Sequence, residues 1–283
     1  MNNLPKQWRT SKPLITSPFL PMFKLASLHP QTQAVFALLA TNPLTQGFLL
    51  IGGTALALHI GHRQSNDLDF VFCEPSGRLP VSKIDPLVWQ LQAQGHRADL
   101  VTDAAQASAF RINTGENLFD YARDYAINGV KVTFFAASPQ RQPKRFAFWS
   151  TAARNTQVGC HFSVLSVEAS KIAKTVILQD RVRSRDLFDL MVLMQSHGYN
   201  VPTFFDNVRR YAEGATDGET ERLILRGLIP LDRQDEGLLA VNVAATLPEM
   251  YRFFDAQLTE YETQIHKQNL REVSAVNRGL RLQ

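Results

Sequence analysis

The chain has 283 residues, of which 45% are hydrophobic and 20% are charged, and its formal net charge is +4. This composition is typical of a globular protein with a substantial core, and it argues against a fibrous or disordered chain. The two cysteines lack a CxxC spacing, and no apolar run reaches the roughly 18 residues of a membrane span. We therefore expect a cytoplasmic protein without a disulfide framework, a zinc site or a membrane anchor, whose mild basic excess is compatible with a polyanionic partner.

The first 150 residues predict an arm followed by alternating strands and helices. Residues 1–30 contain five prolines and no hydrophobic period, which indicates an N-terminal arm. A helix is predicted over 31–40, a strand in "GFLLIGG", a helix in "TALALHIG" and a second strand in "DLDFVFC". "KIDPLVWQLQAQG" predicts a helix that ends at Gly95, and "ADLVT" predicts a third strand. Alternating runs on both sides of Asn128-Gly129 predict a β-hairpin, because Asn-Gly favours a two-residue turn.

The later part of the chain is helical. The pattern changes between residues 145 and 165, and apolar residues then recur with helical spacing to about residue 268. We predict an α/β (α+β) fold, in which a mixed β-sheet core with helices precedes an all-helical C-terminal half. The predicted division is an arm over 1–30, a core over 31–150 and a helical domain over 151–283. Five aromatic residues near the boundary are interpreted as core and interdomain packing rather than as a base-stacking platform: Phe134, Phe135, Phe146, Phe148 and Trp149.

Two aspartates stand two positions apart in the second predicted strand. Residues i and i+2 of a strand project to the same face, so Asp67 and Asp69 are expected to share one. Two adjacent carboxylates repel each other, and a divalent cation such as Mg²⁺ relieves the repulsion while it also binds substrate phosphates. The alternative is an edge strand with one solvated polar face.

The turn after the first strand contains Gly52, Gly53 and Thr54. Glycines let a phosphate approach the backbone, and the first turn of a helix offers free N–H groups to it. Thr54 could cap the helix or donate its hydroxyl to a phosphate. A glycine turn alone is a weak signal, but beside Asp67 and Asp69 it predicts a site where phosphate and metal meet.

A second acidic pair lies in "RVRSRDLFDLM". Asp186 and Asp189 are three residues apart and so share a helix face, where Arg185 is spaced to pair with Asp189. Arg181, Arg183 and Arg185 concentrate positive charge that suits a triphosphate or an RNA backbone. The alternative is a solvated helix face held together by salt bridges.

The stretch "GGTALALHIGHRQSNDLDF" resembles the first motif of DNA polymerase β-type nucleotidyltransferases, in the form carried by AbiEii/AbiGii toxins and their MenT relatives. Gly53-Thr54 stands in place of the Gly-Ser of that motif. The Ser-x-Asp-x-Asp-Phe form common in the toxin branch is matched by Ser65, Asp67, Asp69 and Phe70. The resemblance implies a nucleotidyltransferase-type sheet, with Asp67 and Asp69 as catalytic ligands of Mg²⁺ or Mn²⁺. It also implies nucleotide binding by Gly52, Gly53, Thr54 and Ser65.

"KIAKTVILQDRVRSRDLFD" resembles the later motifs of the toxin family, a helix lysine followed by Arg-Asp-x-x-Asp. Motif spacing favours Lys171 over Lys174 as that lysine. The resemblance implies that Lys171 and Arg185 bind the triphosphate and that Lys171 neutralises the leaving pyrophosphate. It further implies that Asp186 is the second catalytic acid, which orients or deprotonates the attacking hydroxyl.

One part of the superfamily pattern is missing from this sequence. The strand "VKVTFFA" carries Thr133 where a third metal-binding carboxylate is usual. Asp186 or Asp99 would then serve in its place, or the site would hold a second metal only together with substrate.

The resemblance implies a metal-dependent enzyme that transfers NMP from an NTP to an RNA acceptor, with the tRNA 3′ end as the expected target. It implies the toxin of a toxin–antitoxin or phage-defence system, with a cognate antitoxin encoded nearby. Two alternatives stay open: nucleotidylation of a protein or small-molecule hydroxyl, and a non-catalytic binding module. A separate hypothesis is regulation by phosphorylation of Ser65, which would add negative charge beside Asp67; the alternative is a serine without a regulatory role.

Overall fold

The computed structural model describes residues 23–214 and 217–280, so most of the predicted N-terminal arm lies outside the described residues. The strands in this part of the chain are β1 (Leu49–Ile51), β2 (Leu68–Phe72), β3 (Ala98–Leu100), β4 (Ala122–Ile127), β5 (Val130–Ala136), β6 (Arg154–Asn155) and β7 (Ser163–Leu165). The α-helices are α1 (Pro30–Ala40), α2 (Gly52–Ile60), α3 (Val81–Ala93), α4 (Ala104–Thr114), α5 (Pro143–Thr151), α6 (Val167–Val176), α7 (Ser184–Ser196), α8 (Val201–Tyr211), α9 (Glu219–Leu225) and α10 (Leu247–Leu280).

The strands form one mixed sheet in the order β3-β4-β5-β2-β1-β7-β6. The pairs β1–β7 and β2–β5 are parallel, and the other neighbours are antiparallel. Strand β2 therefore lies inside the sheet, which rules out the edge-strand alternative for its aspartates. The predicted fold class, a mixed sheet followed by helices, is confirmed.

The β1–α2–β2 unit brings the glycine turn next to the first acidic pair. The Ala- and Leu-rich segment after β1 forms α2, which ends at Gly61 in the left-handed conformation. The chain then returns antiparallel to β1, with Ile51 directly opposite Asp69. The carboxylate of Asp69 consequently lies at the first turn of α2. Asp67 immediately precedes the first strand residue, Leu68.

The Asn128-Gly129 hairpin is confirmed. Both turn residues have positive φ, 48° and 84°, as a type I′ turn requires. The turn pairs Ile127 with Val130 and sets the register of β4 against β5. Helix α4, between β3 and β4, was not predicted; none of its side chains is buried, so it leaves no amphipathic signal.

The sheet continues beyond the predicted boundary at residue 150. Strand β7 pairs with β1, so the chain returns to the centre of the sheet before the helical half begins at α6. Leu56 of α2 packs in the core of the helical half rather than in that of the sheet. The two predicted domains therefore share elements, and their division stays a prediction.

The last residues of the predicted arm pack against the core. Phe23 and Leu28 are buried, and the backbone N–H of Lys24 donates to the carbonyl of Leu58 at 2.7 Å. Leu28 also forms a parallel bridge with Ser65 in the loop before β2. None of the helices in residues 23–214 and 217–280 has the combination of length and hydropathy that crossing a bilayer requires.

Candidate active site

Two adjoining cavities lie between the sheet and the start of the helical half. The larger has a volume of about 700 Å³, and the smaller, beside the first turn of α2, has about 80 Å³. The residues that line both are Asp69, Lys131, Lys174, Arg181, Arg183 and Asp186. The acids of β2 and α7, separated by more than a hundred residues in the chain, therefore meet at one place.

A different neighbouring side chain explains why each of the two turn positions is occupied by glycine. Gly52 has a φ of +73°, and a Cβ there would lie 3.0 Å from the Asp69 carboxylate. A Cβ on Gly53 would collide with the guanidinium of Arg63. Each glycine thus makes room for a charged group of the site. Direct contact of either glycine with a phosphate stays a prediction.

The hydroxyl of Thr54 is engaged inside the protein. Thr54 is the third residue of α2 and not its N-cap, and its Oγ1 donates to the carbonyl of Asp67. The Ser65 hydroxyl in turn donates to Thr54 Oγ1 at 2.6 Å, since the single proton of Thr54 is already used. These bonds fix the loop that carries Asp67. Ser65 is only 5% exposed, so the hypothesis of its phosphorylation requires this loop to open.

The strand aspartates, Asp67 and Asp69, have no cationic partner. Within the described residues, no side chain or backbone group forms an ion pair or a hydrogen bond with either carboxylate. Burial raises the pKa of Asp67, and burial together with the charge of Asp67 raises the pKa of Asp69. Both carboxylates line the smaller cavity. The fold has therefore placed two unfavourable negative charges at the wall of a cavity.

The helix aspartates are in the opposite situation. Asp189 accepts hydrogen bonds from Arg63 at 2.7 and 3.0 Å and from His62 at 2.6 Å, and it forms an ion pair with Lys174 at 2.6 Å. Asp186 pairs with the same Lys174 at 2.6 Å and with Arg181 at 3.0 Å. Burial alone would raise the pKa of both carboxylates, but these cations lower it. Both acids are buried, which excludes the alternative of a solvated helix face.

Lys171, the lysine favoured by motif spacing, lies one helical turn before the lysine that lines the two cavities, and its role stays a prediction. Lys171 pairs with Glu168 at 2.7 Å and lines a separate cavity on the other side of α6. Lys174 instead points to the acids of α7 and lines both cavities of the site. Arg185 does line the smaller cavity, but it pairs with Glu236 at 3.2 Å and not with Asp189 as its spacing suggested.

Thr133, which stands where a third metal-binding carboxylate is usual, lies next to Asp124. Thr133 lies opposite Asp69 on one side and opposite Asp124 on the other, and its hydroxyl donates to Asp124 at 2.7 Å. Asp124 lines the larger cavity, whereas Asp99 is exposed and pairs with Arg97. The hairpin register contained this signal, because counting back from Asn128-Gly129 places Asp124 opposite Thr133. No set of three acidic, His or Cys side chains in the described chain could hold a metal ion.

The wall of the larger cavity combines apolar and polar groups. All five residues of the aromatic cluster lie in the core or pack against it, as predicted, and two of them, Phe135 and Trp149, also line this cavity. Arg123 and Gln142 are among the polar groups that face the same space. A cavity of this size with aromatic walls and a charged end suits an organic anion.

Comparison with known proteins shows to which family the chain is similar. The family described as nucleotidyl transferase AbiEii toxin, type IV TA (toxin–antitoxin) system, matches residues 33–272. No curated protein matches the chain. Among solved structures, JHP933 from Helicobacter pylori aligns at 16% identity over 86% of this chain and 96% of its own, with a TM-score of 0.42. MenT4, a nucleotidyltransferase toxin from Mycobacterium tuberculosis, aligns at 12% identity over 80% of this chain and 81% of its own, with a TM-score of 0.41.

Proposed function

The chain belongs to the AbiEii family of nucleotidyltransferase toxins of type IV toxin–antitoxin systems, and we propose that it transfers NMP from an NTP to an RNA acceptor. It is thus a nucleotidyl transfer enzyme, and its acceptor, its metal and its antitoxin are the parts that we propose. The tRNA 3′ end is the proposed target, and the cytoplasm is the proposed place of action. The cognate antitoxin is proposed to be encoded nearby.

The observation that carries this proposal is the unpaired state of Asp67 and Asp69. A protein that used these carboxylates for stability would hydrogen-bond them, as it does Asp186 and Asp189. Instead, both remain unpartnered at the wall of a cavity that is otherwise rich in cations. Such an arrangement supports a ligand that brings positive charge to the carboxylates and negative charge to the cations.

The donor set of Asp67 and Asp69 fits Mg²⁺ or Mn²⁺. These are hard cations that take oxygen ligands, and Mg²⁺ is usually held by one or two carboxylates together with substrate phosphates. The raised pKa of each carboxylate reflects repulsion and burial that a cation would relieve. When bound, the metal would supply polarisation of the α-phosphate.

Side chains of α6 and α7 are proposed to bind the pyrophosphate and to position the cations that contact it. Lys174 lines both cavities, so we assign to it the neutralisation of the leaving pyrophosphate that motif spacing gave to Lys171. Asp186 is engaged by Lys174 and Arg181, and its pKa is lowered, so its contacts favour positioning of these cations over the predicted role as a base.

The two cavities suggest separate places for the parts of the substrate. The smaller cavity is polar and lies at the first turn of α2, which suits the phosphate chain. The larger cavity, with Phe135 and Trp149, suits the nucleoside and the end of the acceptor. In the transfer step the acceptor oxygen bonds to the α-phosphorus, the bond from that phosphorus to the bridging oxygen breaks, and pyrophosphate leaves with the proton of the hydroxyl released.

A labelling assay tests the proposal. Purified protein with Mg²⁺ and each α-³²P-labelled NTP is incubated with total RNA and compared with Asp69→Ala on a denaturing gel. We expect label on a discrete RNA band with the wild type and none with the variant. Label on protein or on a small molecule would favour the alternative acceptors, and no labelled product with any NTP would overturn the proposal.

The antitoxin and Ser65 are tested separately. Intact-mass analysis after co-expression with the neighbouring gene would show an added phosphate if Ser65 is modified, and Ser65→Ala would remove it. An unmodified mass in the presence of an active antitoxin would reject the hypothesis for Ser65, without bearing on the transfer reaction.

A further inference from the structure

Arg183 differs from the other cationic side chains of the two cavities. Lys174, Arg63, Arg181 and Arg185 are each paired with an acid, as described above. The remaining ones are also held, and their pairs are Lys131 with Asp124, Arg123 with Asp85 and Arg145 with Asp180. Arg183 alone has no acidic partner within residues 23–214 and 217–280.

The position of Arg183 makes this absence informative. It is the N-cap residue of α7 and lines both cavities. Its Nε is enclosed and has no hydrogen-bond acceptor in the described chain. Enclosed N–H groups are rarely left unpaired, because an unmade hydrogen bond of a charged group is costly. The guanidinium lines the smaller cavity together with Asp67, yet the two side chains do not pair.

We propose that Arg183 binds the phosphate chain of the donor nucleotide through its free guanidinium. This inference rests on the proposed function and names the group that holds the triphosphate. A guanidinium matches two phosphate oxygens at once, and phosphate would satisfy the enclosed Nε. The neighbouring Arg181 and Arg185 already pair with Asp186 and Glu236, so part of their charge is compensated by the protein, whereas that of Arg183 is not.

The comparison of uncompensated charges supports this assignment. The site contains two unpaired carboxylates, Asp67 and Asp69, and one unpaired cation, Arg183. A nucleotide triphosphate with its divalent cation carries the complements of both. The free protein is therefore the less favourable state for all three side chains, and binding of this one ligand would relieve them together.

The test measures nucleotide affinity and the stability of the free protein in parallel. Arg183→Gln and Arg183→Lys are compared with wild type, and Arg97→Gln is the control, because Arg97 is exposed and lies away from the cavities. Calorimetric titrations with each NTP and with the matching NMP are made in the presence of Mg²⁺. Thermal unfolding is recorded without nucleotide.

We expect Arg183→Gln to weaken NTP binding by about 10- to 100-fold, as removal of a charge-assisted hydrogen bond does. Its NMP affinity should change less, Arg183→Lys should recover part of the loss, and the melting temperature of the free variant should not fall. The control should bind like wild type.

Two results would overturn the assignment while the proposed function stands. One is NTP binding by Arg183→Gln within about twofold of wild type; the other is an equal loss of affinity for NTP and NMP with a lower melting temperature, which would indicate a structural role. If wild type binds no NTP, the proposed function fails and the inference fails with it.

Discussion

The two pairs of aspartates differ in how the protein compensates their charge. Asp186 and Asp189 on α7 are buried and surrounded by Arg63, Lys174 and Arg181, and their pKa values are lowered. Asp67 and Asp69 by β2 are partly buried without a partner, and their pKa values are raised. Similar residues at similar spacing thus join the two halves of the molecule through ion pairs in one case and stay unpaired at a cavity wall in the other, where we propose that a ligand binds.

This difference separates acids that stabilise the fold from acids that are candidates for ligand binding, and it does so from the structure of this protein alone. A buried acid that is satisfied by the protein contributes to the fold, and its removal leaves cations unpaired. An acid that is not satisfied costs stability in the free protein, which makes it a candidate for ligand binding.

Replacing Asp69 by Asn should reduce nucleotidyl transfer by about 10³-fold, because one of two carboxylates at the reacting centre is lost. The free variant should be at least as stable as wild type, since an unfavourable buried charge is removed. Labelling rates and thermal unfolding measure the two effects. A variant that is both inactive and markedly less stable would contradict the contrast.

Replacing Asp189 by Ala should lower the free energy of unfolding by about 3–5 kcal/mol, because Arg63 and Lys174 would lose their shared buried partner. Denaturant unfolding measures this change. Asp206→Ala is the matched control, as its pair with Arg209 is exposed and should contribute at most about 1 kcal/mol. Equal effects of the two substitutions would show that the network of Asp189 is not stabilising.

Replacing Lys174 by Met should reduce transfer by about 100-fold at saturating RNA, through loss of charge neutralisation on the leaving group. Lys171→Met should have a much smaller effect, because Lys171 faces a different cavity. Rates are corrected for the folded fraction of each variant. A larger loss for Lys171→Met would restore the choice made from motif spacing.

The smallest expected effect is on pH dependence. The lowered pKa of Asp189 contributes stability that is present above its ordinary value of 3.8 and is lost as pH falls through the folded-state pKa. The unfolding free energy of wild type should therefore decrease below about pH 4, and Asp189→Asn should flatten this part of the profile. If the unfolding free energies of the two proteins decreased equally at acid pH, this result would contradict the lowered pKa of Asp189.

Local elements of the fold could be predicted from sequence because their signals are local. The Asn128-Gly129 turn fixes its hairpin, and Gly61 and the alanines and leucines before it define α2. The pairing of β7 with β1 could not be predicted, because it joins strands that lie far apart in the chain and leaves no periodic signal. The exposed helix α4 was missed for the opposite reason, since it has no buried face.

The sequence identified most residues that line the two cavities, but it did not show which of them are paired and which are unpaired. The spacing of Asp67 and Asp69 identified a carboxylate pair, but not that Asp186 and Asp189 would be neutralised, because their partners include Arg63 from the other half of the chain. Lys171 and Lys174 are one helical turn apart, and the sequence does not show which of them faces the acids of α7, because that depends on how α6 is oriented in the fold. Asp124 was deducible from the hairpin register, although no acidic motif marks it.

The order of the site residues along the chain also limits when the enzyme can act during its synthesis. The aspartates by β2 are translated about a hundred residues before Lys174 and Arg183, and β1 lacks its β7 neighbour until residue 165 has been made. Pairings of such sequence separation form late in folding. A nascent chain that stops before α6 would therefore lack Lys174, Arg181 and Arg183, and the carboxylates of Asp67 and Asp69 would stand without these cations, which line their cavity.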